Sequence, residues 1–327
     1  MLFIKNDNTN PYINHAIEEY MLKNFEEDCF MLWRNEPCIL IGKNQNTLSE
    51  INVDYVKSRN LPVVRRMSGG GAIFNDLGNL HFTFISSKEK NHFADFSKFT
   101  YPIINALKKV GINAELSGRN DLTIDGKKFS GNAQYNYKNK ILHHGSILFS
   151  ASMNDLTSAL KVKNIKFQDK AVKSVGSRVT NISEHLKTPM NLEEFKEFLA
   201  RSIISDQKEV KLYELTKEDM ICVKKISDDK YSTWEWNYGK SPKFNYFNEI
   251  KFLGGIVQAN INVEKGLISD IKLYGDFFSE MDISELEKAL IGVKYTEKDV
   301  RGILKDMPIE KYISNINGDN LMQVMFN

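Results

Sequence analysis

The chain has 327 residues, 42% of them hydrophobic and 26% charged, which is enough to bury one large core or two. Its 44 basic and 42 acidic residues leave a net charge of +2, so there is no broad positive field of the kind that holds DNA or RNA. No apolar run approaches the roughly 20 residues that cross a bilayer, and the opening MLFIKNDNTN turns polar by Lys5, unlike a signal peptide. Three cysteines, Cys29, Cys38 and Cys222, form neither a zinc box nor a disulfide framework and fit a reducing cytoplasm.

In chain order, Asn10-Pro11 predicts a helix start, since Asn caps and Pro suits the first helical position. Ile13, Ala16, Ile17, Tyr20 and Met21 continue it at helical spacing. Strand-like runs follow at Phe30–Trp33, Ile39–Ile41, Val63–Arg65 and His81–Ile85. A second amphipathic helix carries Phe96, Phe99, Ile103, Leu107 and Val110 and ends at Gly111. Residues 121–149 read as hairpins. Asn191 caps a third helix that buries Leu192, Phe195 and Leu199. After Tyr246 the pattern restarts: strands at Lys251–Val263 and Leu267–Tyr274 precede short helices near 282–290 and 296–305. A small α+β unit at 247–327 is therefore expected behind a main domain at 1–246.

Four segments can carry chemistry. In RRMSGGGAIFND, residues 65–76, three glycines allow close backbone approach to a ligand. Arg65 and Arg66 suit phosphate or carboxylate contacts. A hairpin turn beside a solvated Arg pair gives the same string. It is neither a P-loop nor a Rossmann fingerprint, because GK[ST] and G-x-G-x-x-G are both missing. In GRNDLTIDGKKFSGNA, residues 118–133, Asp125-Gly126 signals a two-residue hairpin. That register pairs Ile124 with Lys127, Thr123 with Lys128, and Asp121 with Ser130. Alternation then places Asp121, Thr123, Lys128 and Ser130 on one face and favours Lys128 over Lys127 as the working lysine. A surface strand has the same pattern. In LHHGSILF, residues 142–149, alternation puts His143 and His144 on opposite faces, which disfavours a two-His metal site. In KSVGSRVTNI, residues 173–182, Lys173, Ser177, Arg178 and Asn181 make either a solvated connection or a flap over phosphate.

These four segments, in this order, resemble the lipoate-protein ligase family of the biotin/lipoate ligase group. The likeness covers most of residues 1–245, and the unit after Tyr246 is similar to that family's accessory domain. RRMSGGGAIFNDLGN resembles the lipoate-binding loop, and GRNDL, KFSGNA, HHGSIL and SVGSRVTN follow it at the family's spacing. The resemblance implies an α/β (α+β) fold: a mixed-sheet catalytic domain with a small α+β C-terminal accessory domain. It implies ATP or adenylate contacts from Arg66, from the backbone of Gly71, Ala72, Ile73 and Phe74, and from Asn120, Asp121, Ser177 and Arg178. It implies a lipoate site at Ser68, Gly69, Gly70, Gly71 and His144, with Lys128 touching both reactants as the catalytic residue. Asp121 is the candidate to meet Mg²⁺ brought by the nucleotide. Two positions depart from the family pattern. Asn75 replaces a frequent His, so it can donate a hydrogen bond but cannot be a cation, and Gly176 replaces a basic residue.

The implied reaction activates lipoate with ATP to lipoyl-AMP and moves the lipoyl group to a lysine of an acceptor protein. The acceptors that the resemblance implies are lipoyl domains of 2-oxoacid dehydrogenases and the glycine-cleavage H protein. No permanently bound cofactor, nucleic acid or membrane partner is expected. The rival is an amidotransferase that shifts lipoyl or octanoyl groups between proteins without ATP. A cysteine-nucleophile acyltransferase is disfavoured, because no cysteine lies between Cys38 and Cys222. A biotin ligase would carry a different Arg/Gly-rich loop. A non-catalytic binding module would not need every polar motif.

Overall fold

The computed structural model describes residues 1–87, 95–118, 120–160, 178–207, 209–239 and 245–326. The strands are β1 (Leu2–Lys5), β2 (Cys29–Trp33), β3 (Cys38–Ile41), β4 (Val63–Arg65), β5 (Ile73–Asn75), β6 (Asn79–Ser87), β7 (Ala114–Ser117), β8 (Asp121–Ile124), β9 (Lys127–Tyr137), β10 (Lys140–Leu148) and β11 (Lys211–Glu214). The C-terminal part adds β12 (Tyr246–Phe252), β13 (Gly255–Glu264) and β14 (Leu267–Gly275).

An eight-stranded mixed sheet runs β11-β1-β2-β6-β10-β9-β8-β7. Its β11-β1 and β1-β2 pairs are parallel and its remaining pairs antiparallel. A small sheet, β4-β3-β5, lies apart from it. Helices Ser97–Lys109 and Leu192–Ser205 supply Phe99, Ile103, Leu107, Phe195 and Leu199 to the core that also holds Phe82, Leu122 and Phe129. The first helix, Pro11–Asn24, starts as expected, with Asn10 Oδ1 accepting from the backbone N–H of Tyr12 and Ile13. It is buried over most of its surface, because helix Lys217–Ile226 and the segment Ser227–Tyr231 also pack on it. That burial encloses His15, Glu18 and Glu19.

From Tyr246 onward a second core forms around Val257, Ile271, Leu286, Val300 and Val324. The expected strand Lys251–Val263 is in fact the end of β12, a turn at Leu253-Gly254, and β13. The short helices stand at Ile283–Leu290 and Glu297–Lys305, and a last helix, Gly318–Phe326, closes the unit. This unit, with its own core, packs against the main domain. Gly275 N–H donates to Asn44 O (2.7 Å), Asn44 Nδ2 to Ser279 Oγ (3.0 Å), and Lys43 pairs with Asp282 (3.2 Å).

Candidate active site

The β8–β9 hairpin turns at Asp125 and Gly126, both with positive φ (49° and 74°), as a type I′ turn requires. Ile124 pairs with Lys127 and Thr123 with Lys128, as expected. A bulge then shifts the register, so Leu122 faces Ser130 and Asp121 faces Gly131. The expected Asp121–Ser130 pair is therefore corrected by one residue. The extra residue brings Ser130 opposite Leu122, while Phe129 stays fully buried with Leu122 and Ile124 in the core. Lys128 Nζ reaches Asp121 Oδ1 at 2.8 Å across the bulge. A Cβ at Gly131 would stand 3.0 Å from that Nζ, so glycine is what lets the lysine lie flat there. Ser130 is buried beside Asn132, outside the cleft described next.

Lys128 stands at a cleft between the glycine loop and strands β6, β9 and β10. Gly70, Gly71, Ala72 and Ile73 form one wall, with Arg66 behind them. Asn120, Gly131, Asn132 and Ala133 form the wall around Lys128. His144, Gly145 and Ser146 of β10 run between the walls, and His15, Trp33, Leu40 and His81 complete the lining. Exposure falls along the cleft: the Lys128 side chain is 40% exposed, whereas Trp33 is 1% exposed. A wider cavity of about 680 Å³ in the C-terminal unit, bordered by Arg301, Lys305 and Asp319, gathers none of the four segments.

The two adjacent arginines divide their work. Arg65 donates to Gly42 O (2.9 Å), Gln45 O (2.7 Å), Trp236 O (2.9 Å) and Thr47 Oγ1 (2.6 Å), which ties the stretch 42–47 to the short helix Trp234–Asn237 away from the cleft. Arg66 Nη2 donates to Gly69 O and Gly71 O, both at 2.8 Å, and thereby shapes the glycine loop. Burial lowers both guanidinium pKa values to about 10, and each still carries its charge at neutral pH. Gly70 adopts φ +92°, a backbone that L side chains rarely take. Gly69 admits no Cβ, because Phe277 O of the C-terminal unit would lie 2.3 Å from it.

Beneath the loop lies a buried hydrogen-bond chain. Ser68 Oγ is 2.5 Å from His144 Nε2, and His144 Nδ1 is 2.9 Å from Glu18 Oε1. Glu18 also accepts from Thr83 Oγ1 (2.6 Å) and meets His15 Nδ1 (2.8 Å), while Trp33 Nε1 donates to Thr83 Oγ1 (2.8 Å). Burial alone would raise the Glu18 pKa, but the charges and hydrogen bonds of His144 and His15 outweigh it and hold the group well below the usual carboxylate range. His143 points to the opposite side of β10, where Phe82, Phe96 and Phe99 surround it. The expected separation of the two histidines is what the strand provides.

Of the residues singled out in the sequence, Arg66, Gly70, Gly71, Ala72, Ile73, Asn120, Lys128 and His144 border this cleft together. Ser68 and Asp121 touch it through His144 and Lys128. Phe74 is buried in β5 opposite Ile39 and packs with Ile41 and Val63, and Asn75 is fully buried beside it. Neither borders the cleft. Arg178 is exposed, and its carbonyl accepts from Lys128 N–H (2.8 Å), which brings the end of the fourth segment against the hairpin. Lys173, Gly176 and Ser177 lie outside the described residues. His15, Glu18, Trp33, Leu40 and His81 were not singled out. A signal for two of them was available: His15 and Glu18 stand three residues apart, on neighbouring turns of the helix that opens at Asn10-Pro11.

Residues 10–204 match the lipoyl protein ligase A/B catalytic domain, and residues 241–325 match the bacterial lipoate protein ligase C-terminus. The chain belongs to the lipoate-protein ligase family. It is 44% identical to lipoate-protein ligase LplJ of Bacillus subtilis over 331 residues, covering 100% of both chains. It is 43% identical to lipoate–protein ligase 1 of Staphylococcus aureus, covering 99% of this chain and 100% of that one. The crystal structure of P. falciparum LipL1 in complex with lipoate superposes with a TM-score of 0.80 at 28% identity, covering 99% and 97% of the two chains. A lipoate-protein ligase A structure bound with ATP shares the fold at a TM-score of 0.63 and 24% identity, over 72% of this chain and 98% of that one. Among the described residues, no helix is long and apolar enough to cross a membrane.

Proposed function

We propose that this chain activates lipoate with ATP and transfers the lipoyl group to a lysine of an acceptor protein. The observation that carries this reading is the position of Lys128: a half-exposed cation on a cleft whose buried lining is Trp33, Leu40, His15 and His81, with the glycine loop as one wall. The cleft suits an amphipathic acid, with its tail inside and its carboxylate at Lys128.

A carboxylate and an amine do not condense in water without activation. In the first step the lipoate carboxylate oxygen attacks the α-phosphorus of ATP and pyrophosphate leaves, giving lipoyl-AMP. Both reactants are anions, and Lys128 offsets their repulsion by exchanging Asp121 for the two of them. Gly71, Ala72 and the Asn120 side of the cleft border the nucleotide, and the Arg178 backbone lies against Lys128. Asp121 is the carboxylate that would hold a nucleotide-borne Mg²⁺, which generally takes one or two carboxylates plus phosphate oxygens and screens phosphate charge. The glycine loop covers the acyl tail and keeps water from the mixed anhydride. In the second step the acceptor amine attacks the acyl carbon and AMP leaves. A free lysine has a pKa of about 10.4, so this amine sheds a proton on the way.

Lipoyl domains and the glycine-cleavage H protein are the proposed acceptors, the cytoplasm the proposed compartment, and residues 1–246 and 247–327 the proposed catalytic and accessory domains. Three unpaired cysteines support the compartment. Pyrophosphate release on mixing the protein with lipoate and ATP tests the reading. Transfer that needs a lipoylated donor protein and no ATP would replace it with the amidotransferase.

A further inference from the structure

The inner end of the cleft carries two nitrogens to which the described residues give no partner. His15 and His81 border it with Trp33 and Leu40, and all four are 3% exposed or less. Nε2 of His15 and Nε2 of His81 are each buried without a hydrogen bond. The rings are held in place. His15 is tied through Nδ1 to Glu18 Oε2 at 2.8 Å and stacks on Tyr231, with centroids 5.9 Å apart. His81 stacks on Trp33 at 4.5 Å with 24° between planes. An unpaired buried polar atom is destabilising, because it has given up its water without gaining a partner. Two of them beside one narrow pocket point to a ligand that completes them.

The kind of ligand follows from the donors and acceptors. A carboxylate only accepts, so Glu18 fixes the proton of His15 on Nδ1. Burial lowers the His15 pKa, and the neutral ring then presents Nε2 as a bare acceptor. His81 is also neutral by burial, and its tautomer is not fixed by any such partner at Nε2, so that atom can donate or accept. A saturated alkyl end satisfies neither nitrogen. A cyclic disulfide offers sulfur lone pairs and can accept from His81 alone. A dithiol offers S–H donors to His15 and a sulfur acceptor to His81, and so can satisfy both.

Resting on the assignment of this cleft to a lipoyl substrate, we propose that His15 and His81 read the sulfur-bearing end of the acyl chain. They favour dihydrolipoate, the dithiol, over cyclic lipoate, and either over octanoate. They are specificity-determining residues, because a pocket that hydrogen-bonds its substrate rejects an analogue that leaves those groups unpaired.

The test is pyrophosphate release with ATP and each of dihydrolipoate, lipoate and octanoate, run without oxygen and with reductant only in the dithiol arm. The wild-type kcat/KM should rank in that order, with steps of roughly threefold to tenfold for weak thiol hydrogen bonds. His81→Phe keeps a ring on Trp33 and removes both nitrogens. It should lower the lipoate-to-octanoate ratio toward one and raise kcat/KM for octanoate, a gain that a folding defect cannot produce. His15→Phe should abolish the preference for dithiol over disulfide. Equal wild-type efficiency with all three acids, as expected if trapped water already completes the nitrogens, would overturn the inference while leaving the ligase reading intact. Unchanged ratios in both variants would overturn it as well. No pyrophosphate with any acid would overturn the ligase reading and this inference with it.

Discussion

Ser68 of the glycine loop and His144 of β10 are joined by a 2.5 Å hydrogen bond, although 76 residues separate them in the chain. Because Glu18 holds the other ring nitrogen of His144, the loop is anchored to the sheet through one oriented imidazole. Ser68→Ala removes that anchor and leaves a methyl in a buried site. We expect the KM for lipoate to rise about tenfold, equivalent to roughly 1.4 kcal/mol, with little change in the far-ultraviolet circular dichroism. An unchanged KM would mean that the bond does not position the loop.

Acid should destabilise this fold through the same buried groups. Burial lowers the His81 pKa from 6.5 to about 3, so the folded state keeps it neutral while the unfolded chain binds a proton. Its contribution is fully present above pH 6.5 and is lost as pH falls from there toward 3. Glu18, also lowered, contributes above its ordinary value of 4.5 and loses that contribution below it. Between pH 6.5 and 4.5 the histidines therefore dominate. His81→Phe should reduce the slope of unfolding free energy against pH by about 1.4 kcal/mol per pH unit, the effect of one proton. Denaturant titrations at several pH values measure this, and parallel curves for the two proteins would contradict it.

Much of the site was legible because its strongest signals are local. Asp125-Gly126 fixed the hairpin turn, and two-residue alternation separated His143 from His144 and Lys128 from Lys127. The bulge that moves Asp121 opposite Gly131 was not legible, since pairs counted outward from a two-residue turn carry no signal for an extra residue. Helical periodicity marked Ile13, Ala16 and Ile17 but missed Glu18. The helix is covered on nearly every side by later parts of the chain, and its buried carboxylate is satisfied by His144, 126 residues away. The merging of β12 and β13 into one expected strand has a simple cause. Leu253-Gly254 is a tight turn whose leucine is 97% exposed, so hydropathy reads through it.

The glycine loop should respond unequally at adjacent positions. A Cβ at Gly70 meets Arg66 Nη2 at 2.9 Å with φ +92°, whereas one at Gly71 meets nothing within 4 Å. An L residue in such a backbone costs about 1–2 kcal/mol. Gly70→Val should weaken lipoate binding more than ATP binding and lower the melting temperature. Gly71→Ala should fold as the wild type. Calorimetric titration and thermal melts check both, and equal behaviour of the two variants would contradict the loop's assigned shape.

Thiol chemistry should be dispensable. Burial pushes the Cys29 thiol up to about 12 and Cys38 higher still, while Cys222 is exposed. None borders the cleft. A Cys29→Ala/Cys38→Ala/Cys222→Ser protein that folds should transfer lipoyl groups within about threefold of the wild-type rate, since a lost nucleophile costs orders of magnitude more. Loss of all transfer in the folded triple variant would restore a thioester intermediate.

The central claim is that Lys128 brings the carboxylate and the α-phosphate together. Pyrophosphate release from lipoate and ATP by Lys128→Ala, compared with Lys127→Ala, tests it most directly, with circular dichroism to confirm that both fold. Lys128→Ala should lose 10²-fold or more, the order seen when one preorganised charge-stabilising group is removed, while Lys127→Ala, exposed beside the turn, should stay within about threefold of the wild type, as surface substitutions usually do. Normal adenylation by Lys128→Ala, or a dead Lys127→Ala, would contradict the account.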